Sequence, residues 1–210
     1  PPPPPPPPPP PALFFFKQKT AYYIGVRLVG SEICIRDRQY IDHKIPGSLI
    51  SSGSLGVMGF GLPAAIGAQL AYPNKSVVCI SGDSSIQMCI QELSTCLQYD
   101  LPIKIINLNN SALGMVKQWQ DMQYGGRLSE STYEDSLPDF IKLTESFGHV
   151  GIKVDQLSDL ESCMKETFSL KDKLVFLDVI VDQDEHVYPM LEAGMALDSM
   201  WLDKNTKTWE

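Results

Sequence analysis

The sequence predicts an open, doubly wound α/β domain, a parallel sheet with helices on both faces, and three observations carry that expectation. From Ser51 onward, short β-branched runs alternate with longer helical patterns, which is the rhythm of βαβ units. The short runs are apolar with little alternation, as strands buried on both faces of a parallel sheet are. Gly82-Asp83-Ser84-Ser85 and Asn109-Asn110 stand at the ends of two of these runs, where open parallel sheets present their ligand sites.

Taken in order, the chain opens on eleven prolines, residues 1–11, which have no donor for helix or sheet and suit only an extended polyproline segment. The next stretch, Phe14-Phe15-Phe16-Lys17-Gln18-Lys19-Thr20-Ala21-Tyr22 through Cys34-Ile35-Arg36-Asp37, resembles translated sequencing-adapter text. Residues 1–38 are therefore set aside as a disordered artefact, 39–202 as the domain and 203–210 as a tail. The runs Val77-Val78-Cys79-Ile80 and Ile103-Lys104-Ile105-Ile106-Asn107-Leu108, with residues 150–154 and 174–181, are the expected strands. Helices are expected over 87–99, with Met88, Leu93 and Leu97 on one face, over 138–147 with Pro138 in the first turn, and over 158–170 with a Ser158–Glu161 capping box.

Composition narrows the function. Seventeen Lys and Arg against 25 Asp and Glu give a net charge of −8, so no overall positive field draws nucleic acid or anionic lipid. No run approaches the roughly 20 apolar residues of a membrane span. Cys34, Cys79, Cys89, Cys96 and Cys163 show no C-x-x-C pair and read as buried thiols of a reducing, cytoplasmic compartment. His43, His149 and His186 are scattered and suggest no hydrolase triad. No G-x-G-x-x-G follows a strand, which disfavours a dinucleotide-binding dehydrogenase.

The chemistry concentrates in two turns. Gly82-Asp83-Ser84-Ser85 stands between a strand and a helix, a layout in which backbone N–H groups meet diphosphate oxygens. By itself it is equally ordinary loop chemistry. Asn109-Asn110 ends the next strand, 27 residues beyond Asp83, and adjacent parallel strands bring both ends to one sheet edge. A carboxylate and an amide oxygen are the hard ligands Mg²⁺ prefers. The carbonyl of Ala112 is the best placed third donor.

Gly-Asp, a helix and then Asn-Asn at this spacing resembles the signature of thiamine-diphosphate enzymes. The resemblance implies that Asp83, Asn110 and Ala112 bind the metal. Ser84 stands where the signature has Gly, and a backbone angle suited to Gly would be strained there. Cys89, where many relatives have Asn or Thr, reads as helix packing.

Gly53-Ser54-Leu55-Gly56-Val57-Met58-Gly59-Phe60-Gly61-Leu62-Pro63-Ala64-Ala65 and Leu113-Gly114-Met115-Val116-Lys117-Gln118-Trp119-Gln120 resemble the acetolactate synthase versions of the cofactor loop and the substrate channel. So do 185–190 and 200–202, and the likeness extends from about Ile50 to Leu202. It implies that Gly56, Met58, Gly82, Asp83, Ser84, Ser85, Asn110, Ala112, Gly114 and Met115 face the cofactor. It also implies that Met58 props the cofactor into its bent shape, while Met115 and Trp119 shape the pocket for the second 2-keto acid. Without the resemblance, Met58 reads as core at a helix start and Trp119 as a half-buried core aromatic.

Further implications are pyruvate and 2-ketobutyrate as substrates, branched-chain amino acid biosynthesis, and a homodimer or homotetramer with a possible small regulatory subunit. The family's catalytic glutamate and its FAD belong to other domains, so these residues alone are expected to bind weakly and to catalyse nothing. Another thiamine-diphosphate carboligase, a 2-keto acid decarboxylase and a non-catalytic module of the same fold are the competing readings.

Overall fold

The computed structural model describes residues 27–30, 46–53, 55–133, 135–192 and 194–203. A six-stranded sheet organises it, in the order β2-β1-β3-β4-β6-β5. The strands are β1 (Arg27–Gly30), β2 (Leu49–Ser51), β3 (Val77–Gly82), β4 (Lys104–Asn109), β5 (Val150–Val154) and β6 (Val175–Ile180). Every pairing is parallel. The helices are α1 (Gly61–Ala71), α2 (Asp83–Gln87), α3 (Leu93–Gln98), α4 (Gly114–Gln123), α5 (Phe140–Ser146) and α6 (Leu160–Ser169).

Alternation along the strands divides the core between two faces. Cys79, Ile105 and Phe176 join Leu62, Leu93 and Phe140 on the face covered by α1, α3 and α5. Val78, Ile106 and Leu177 join Met164 beneath α6 on the other. Both sides of the central strands are therefore dry, which explains their continuous apolar runs. Phe140 stacks on Phe176 at 5.7 Å between centroids, worth about 0.5–1.5 kcal/mol beyond its buried area. Burial pushes the Cys79 thiol up to about 12, with Cys96 reinforcing the shift, so this cysteine is inert packing.

Several sequence expectations need correction. Strand β1 lies inside the segment set aside as disordered, between β2 and β3; an extended run needs only its backbone groups to pair with both neighbours. The other residues of 1–38 fall outside the described ones, as do Cys34 and His43. The helix expected over 87–99 is broken into α2, a 3₁₀ turn at Ile90–Glu92 and α3. Met88 and Leu97 are about half exposed while Leu93 is buried, so the three do not share a buried face. Helix α5 starts after Pro138, with the Asp139 carboxylate accepting from the N–H groups of Ile141 and Lys142. The Ser158–Glu161 capping box does not form: Ser158 donates to Asp159, and Glu161 pairs with Lys165.

Lys104 opens β4 yet is only 4% exposed. Its ammonium donates to the carbonyls of Pro102, Leu170 and Lys173, tying the end of α6 to the sheet. Burial pulls it down to about 8, with Asp172 opposing. Lys104→Met fills similar volume but strands those carbonyls, so urea unfolding followed by circular dichroism should show a loss of about 1–3 kcal/mol.

Candidate functional site

Strands β3 and β4 pair in register, with Gly82 opposite Leu108. Their carboxyl ends therefore deliver Asp83 and Asn109-Asn110 to one edge. Asp83 is fully buried. One carboxylate oxygen accepts from the N–H of Ser84 and from its hydroxyl, the latter at 2.8 Å. The other oxygen accepts from the N–H of Ser111 at 2.7 Å. These bonds hold the carboxyl in place, but burial raises its pKa above the ordinary carboxylate value, with Asp178 adding to the rise. Among the described residues no cationic side chain pairs with it.

The turn after β4 is built around that carboxylate. Ser111 takes a left-handed backbone, φ 53°, a conformation that costs a non-glycine residue energy and concentrates at functional sites. The two asparagines then diverge. Asn109 donates into the sheet to Asp178, which Asn107 also meets at 2.8 Å. Asn110 stays at the edge, its side-chain oxygen accepting from the N–H of Ala112 at 3.2 Å. The backbone of 111–113 is braced in turn by 131–133, through Leu113 to Ser131 and Tyr133 to Ser111.

A cleft of about 270 Å³, counting its open mouth, lies over this edge. Met58 forms one wall and Gly114 with Met115 another, while the floor is Gly82, Asp83, Ser84, Ser85 and Ala112. Met58 is half-buried and stands three positions before Gly61, the first residue of α1. Its loop is pinned by the Gly59 N–H donating to the Ser85 hydroxyl at 2.9 Å. Leu113 also lines the cleft, and only its place beside Gly114 could have marked it in the sequence.

Not every expected residue reaches the wall. Gly56 makes a turn instead, with φ 62° and its N–H bonded to Ser52. Asn110 is not a lining residue, though its side-chain oxygen meets the N–H of Ala112, which is. Trp119 is half-buried one helical turn beyond Met115, on the same side of α4 but outside the cleft lining. Ser84 carries no glycine-type strain, because it lies in α2 and its φ is not positive. Helix α2 has only five residues, and its Ser84 N–H is turned back onto Asp83, so it offers an anion less than the sequence suggested. The first N–H groups of the longer α4 are donors without intrahelical acceptors, and Leu113 supplies no side-chain cap.

These donors fit a divalent cation. Among the described residues no group of three or more His, Cys, Asp or Glu side chains could hold a metal. The edge instead offers one carboxylate, one amide oxygen and one carbonyl, the hard set that suits Mg²⁺ with phosphate oxygens and water completing it. A buried carboxylate without a cationic partner is costly until a cation arrives.

The family described as "Thiamine pyrophosphate enzyme, C-terminal TPP binding domain" matches residues 34–179. The chain belongs to this family. It is 56% identical over 171 residues to the acetolactate synthase isozyme 3 large subunit of Escherichia coli, covering 80% of this chain and 30% of that protein. It is 59% identical over 159 residues to the acetolactate synthase large subunit of Haemophilus influenzae, covering 76% of this chain and 28% of that protein. A solved thiamine diphosphate-dependent 4-hydroxybenzoylformate decarboxylase from Rhodococcus jostii superposes with a TM-score of 0.68 at 30% identity, over 76% of this chain and 30% of the other. The chain thus spans less than a third of these curated relatives.

Within this thiamine pyrophosphate-binding domain, Gly59 stands next to the cleft-lining Met58 in a conformation and a space that suit only glycine. Its φ is 79°, and an added Cβ would stand 3.0 Å from the Met88 Cβ and 3.2 Å from the Cys89 sulfur. Gly59→Ala should lower thermal stability by about 1–3 kcal/mol, read as a fall in the melting midpoint.

Proposed function

We propose that this chain is the cofactor-diphosphate-binding, C-terminal part of an acetolactate synthase large subunit, condensing pyruvate with a second 2-keto acid in branched-chain amino acid biosynthesis. One observation carries the site assignment: Asp83 is buried without a cationic partner at the same sheet edge as Asn110 and Ala112. Asp83, Asn110 and the Ala112 carbonyl would hold Mg²⁺. Gly82, Ser85 and the start of α4 at Gly114 would meet the diphosphate.

When bound, thiamine diphosphate supplies the electron sink for decarboxylation and carbon–carbon bond formation. The protein's part is to bind, bend and shield it. Met58 and Met115 both line the cleft, and a flexible, polarizable thioether suits the support of a bent cofactor. Met115 and, one turn on, Trp119 would sort acceptor keto acids by size. Identities of 56% and 59% to large subunits of acetolactate synthase, against 30% to the decarboxylase, favour the synthase over a 2-keto acid decarboxylase.

The relatives are more than three times as long as the matched region. The catalytic glutamate, FAD, the homodimeric or homotetrameric assembly and a small regulatory subunit belong to that longer protein in this reading. So does a cytoplasmic location. Among the described residues no helix is long and apolar enough to cross a membrane.

Two outcomes test the proposal. Mg²⁺ with thiamine diphosphate should raise the melting midpoint of the chain, and Asp83→Ala or Asn110→Ala should abolish the rise. Because the cation needs the ionised carboxylate and burial raises the pKa of Asp83, the rise should fade on acidification at a higher pH than an ordinary aspartate would give. A chain whose midpoint ignores Mg²⁺ and cofactor at neutral pH would lack the proposed site. Separately, the 210-residue chain alone should form no acetolactate from pyruvate in a colorimetric product assay; activity would show that nothing outside it is needed.

A further inference from the structure

Ser84 is the residue at which this chain departs from the signature, and its side chain does not point away from the metal edge. It is 8% exposed and lines the cleft floor. Its hydroxyl oxygen lies 2.8 Å from a carboxylate oxygen of Asp83 and 3.4 Å from the carbonyl oxygen of Ala112. Those two atoms are donors already assigned to the cation. A hydroxyl has one proton, so it can bond to only one of these oxygens at a time. The other approach leaves oxygen facing oxygen without a proton between them.

Oxygen ligands at neighbouring corners of an octahedron are separated by √2 times the metal–oxygen distance. For Mg²⁺ at about 2.0–2.1 Å that edge is about 2.9 Å, and for Ca²⁺ at about 2.4 Å it is about 3.4 Å. The 2.8 Å separation from Asp83 matches the Mg²⁺ edge, while the 3.4 Å separation from Ala112 is longer and closes as the hydroxyl turns to the cation. One hydroxyl thus stands beside two of the oxygens assigned to the cation, on two different chain segments.

We infer that the Ser84 hydroxyl is a further protein ligand of the divalent cation in this chain, taking a corner that a glycine would leave to water. The inference rests on the proposed metal position at Asp83, Asn110 and Ala112. On cation binding the hydroxyl keeps its proton, turns its lone pairs to the metal and gives the proton as a hydrogen bond to a neighbouring acceptor. Nothing is oxidised and no bond to carbon changes.

The experiment uses the 210-residue chain with thiamine diphosphate and Mn²⁺ in place of Mg²⁺. Bound Mn²⁺ is read by electron paramagnetic resonance, and its coordinated waters are counted from broadening in ¹⁷O-enriched water. Ser84→Gly and Ser84→Ala should each weaken Mn²⁺ binding about tenfold and add one coordinated water, while Ser84→Thr should retain the wild-type count. Affinity alone does not decide, because a hydroxyl that merely orients Asp83 would also lower it. An unchanged water count in folded Ser84→Gly and Ser84→Ala would overturn the ligand role. If Asp83→Ala abolishes Mn²⁺ binding in that same experiment, the metal position stands and only Ser84 is reassigned. If the wild-type chain binds no Mn²⁺ with cofactor present, both the position and the inference fall.

Discussion

The carboxylate of Asp83 is the constraint to which the carboxyl edge of the sheet is fitted. It is fully buried and has no cationic side chain beside it among the described residues. Such a group raises the free energy of the folded chain unless its charge is met. Here the meeting is divided. Backbone N–H groups of Ser84 and Ser111 and the Ser84 hydroxyl fix the oxygens, and neutral donors orient the charge without neutralising it. The remaining attraction is available to a cation.

That division explains the strain at Ser111. To aim its N–H at Asp83, the chain must turn abruptly after β4, and it does so through a left-handed residue. The same turn places the Asn110 oxygen and the Ala112 carbonyl at the edge. It also separates the asparagines, since Asn109 turns inward to help Asn107 solvate Asp178. Asp178 is itself raised by burial despite those two bonds. The Asp178 carboxylate adds to the cost of charge on Asp83, and a cation at this edge relieves that cost.

The rhythm of apolar runs was sufficient to read the parallel sheet, because strands buried on both sides carry no competing polar pattern. The metal-edge residues were legible for a related reason. Gly82-Asp83 and Asn109-Asn110 end adjacent strands, and the register of β3 against β4 alone brings them together. Helix continuity was not legible over 87–99, where a helical hydrophobic spacing ran through three separate short elements. The spacing describes possible faces, and exposure of Met88 and Leu97 shows that packing did not use them. Lys104, Asn107 and Asp178 were passed over because each is one polar residue within an apolar run. Their partners are 66, 71 and 69 residues away, beyond any local pattern. In the sequence Ser84 reads only as a misplaced glycine, a matter of backbone, whereas the fold turns its hydroxyl onto Asp83.

The part of the cleft lining that α4 supplies depends on polar contacts more than on apolar packing. The buried residues of α4 are Lys117 and Gln118, a poor basis for hydrophobic docking. Burial works against the Lys117 charge, but Asp121 and Asp184 more than offset it and hold the ammonium above the ordinary lysine value. Gln118 exchanges two hydrogen bonds with Val187, giving to its carbonyl and accepting from its N–H, each at 2.9 Å. His186 reaches Asp121 at 2.9 Å, and Gln183 donates to the Ser111 carbonyl. The segment 183–187 is thereby joined both to α4 and to the turn that serves Asp83. A helix docked by directional bonds has a defined rotation about its axis, whereas an apolar stripe tolerates small rotations. That rotation determines where Met115 enters the cleft and where Trp119 follows one turn later, so the segment after β6 sets the shape of a wall to which it contributes no lining residue.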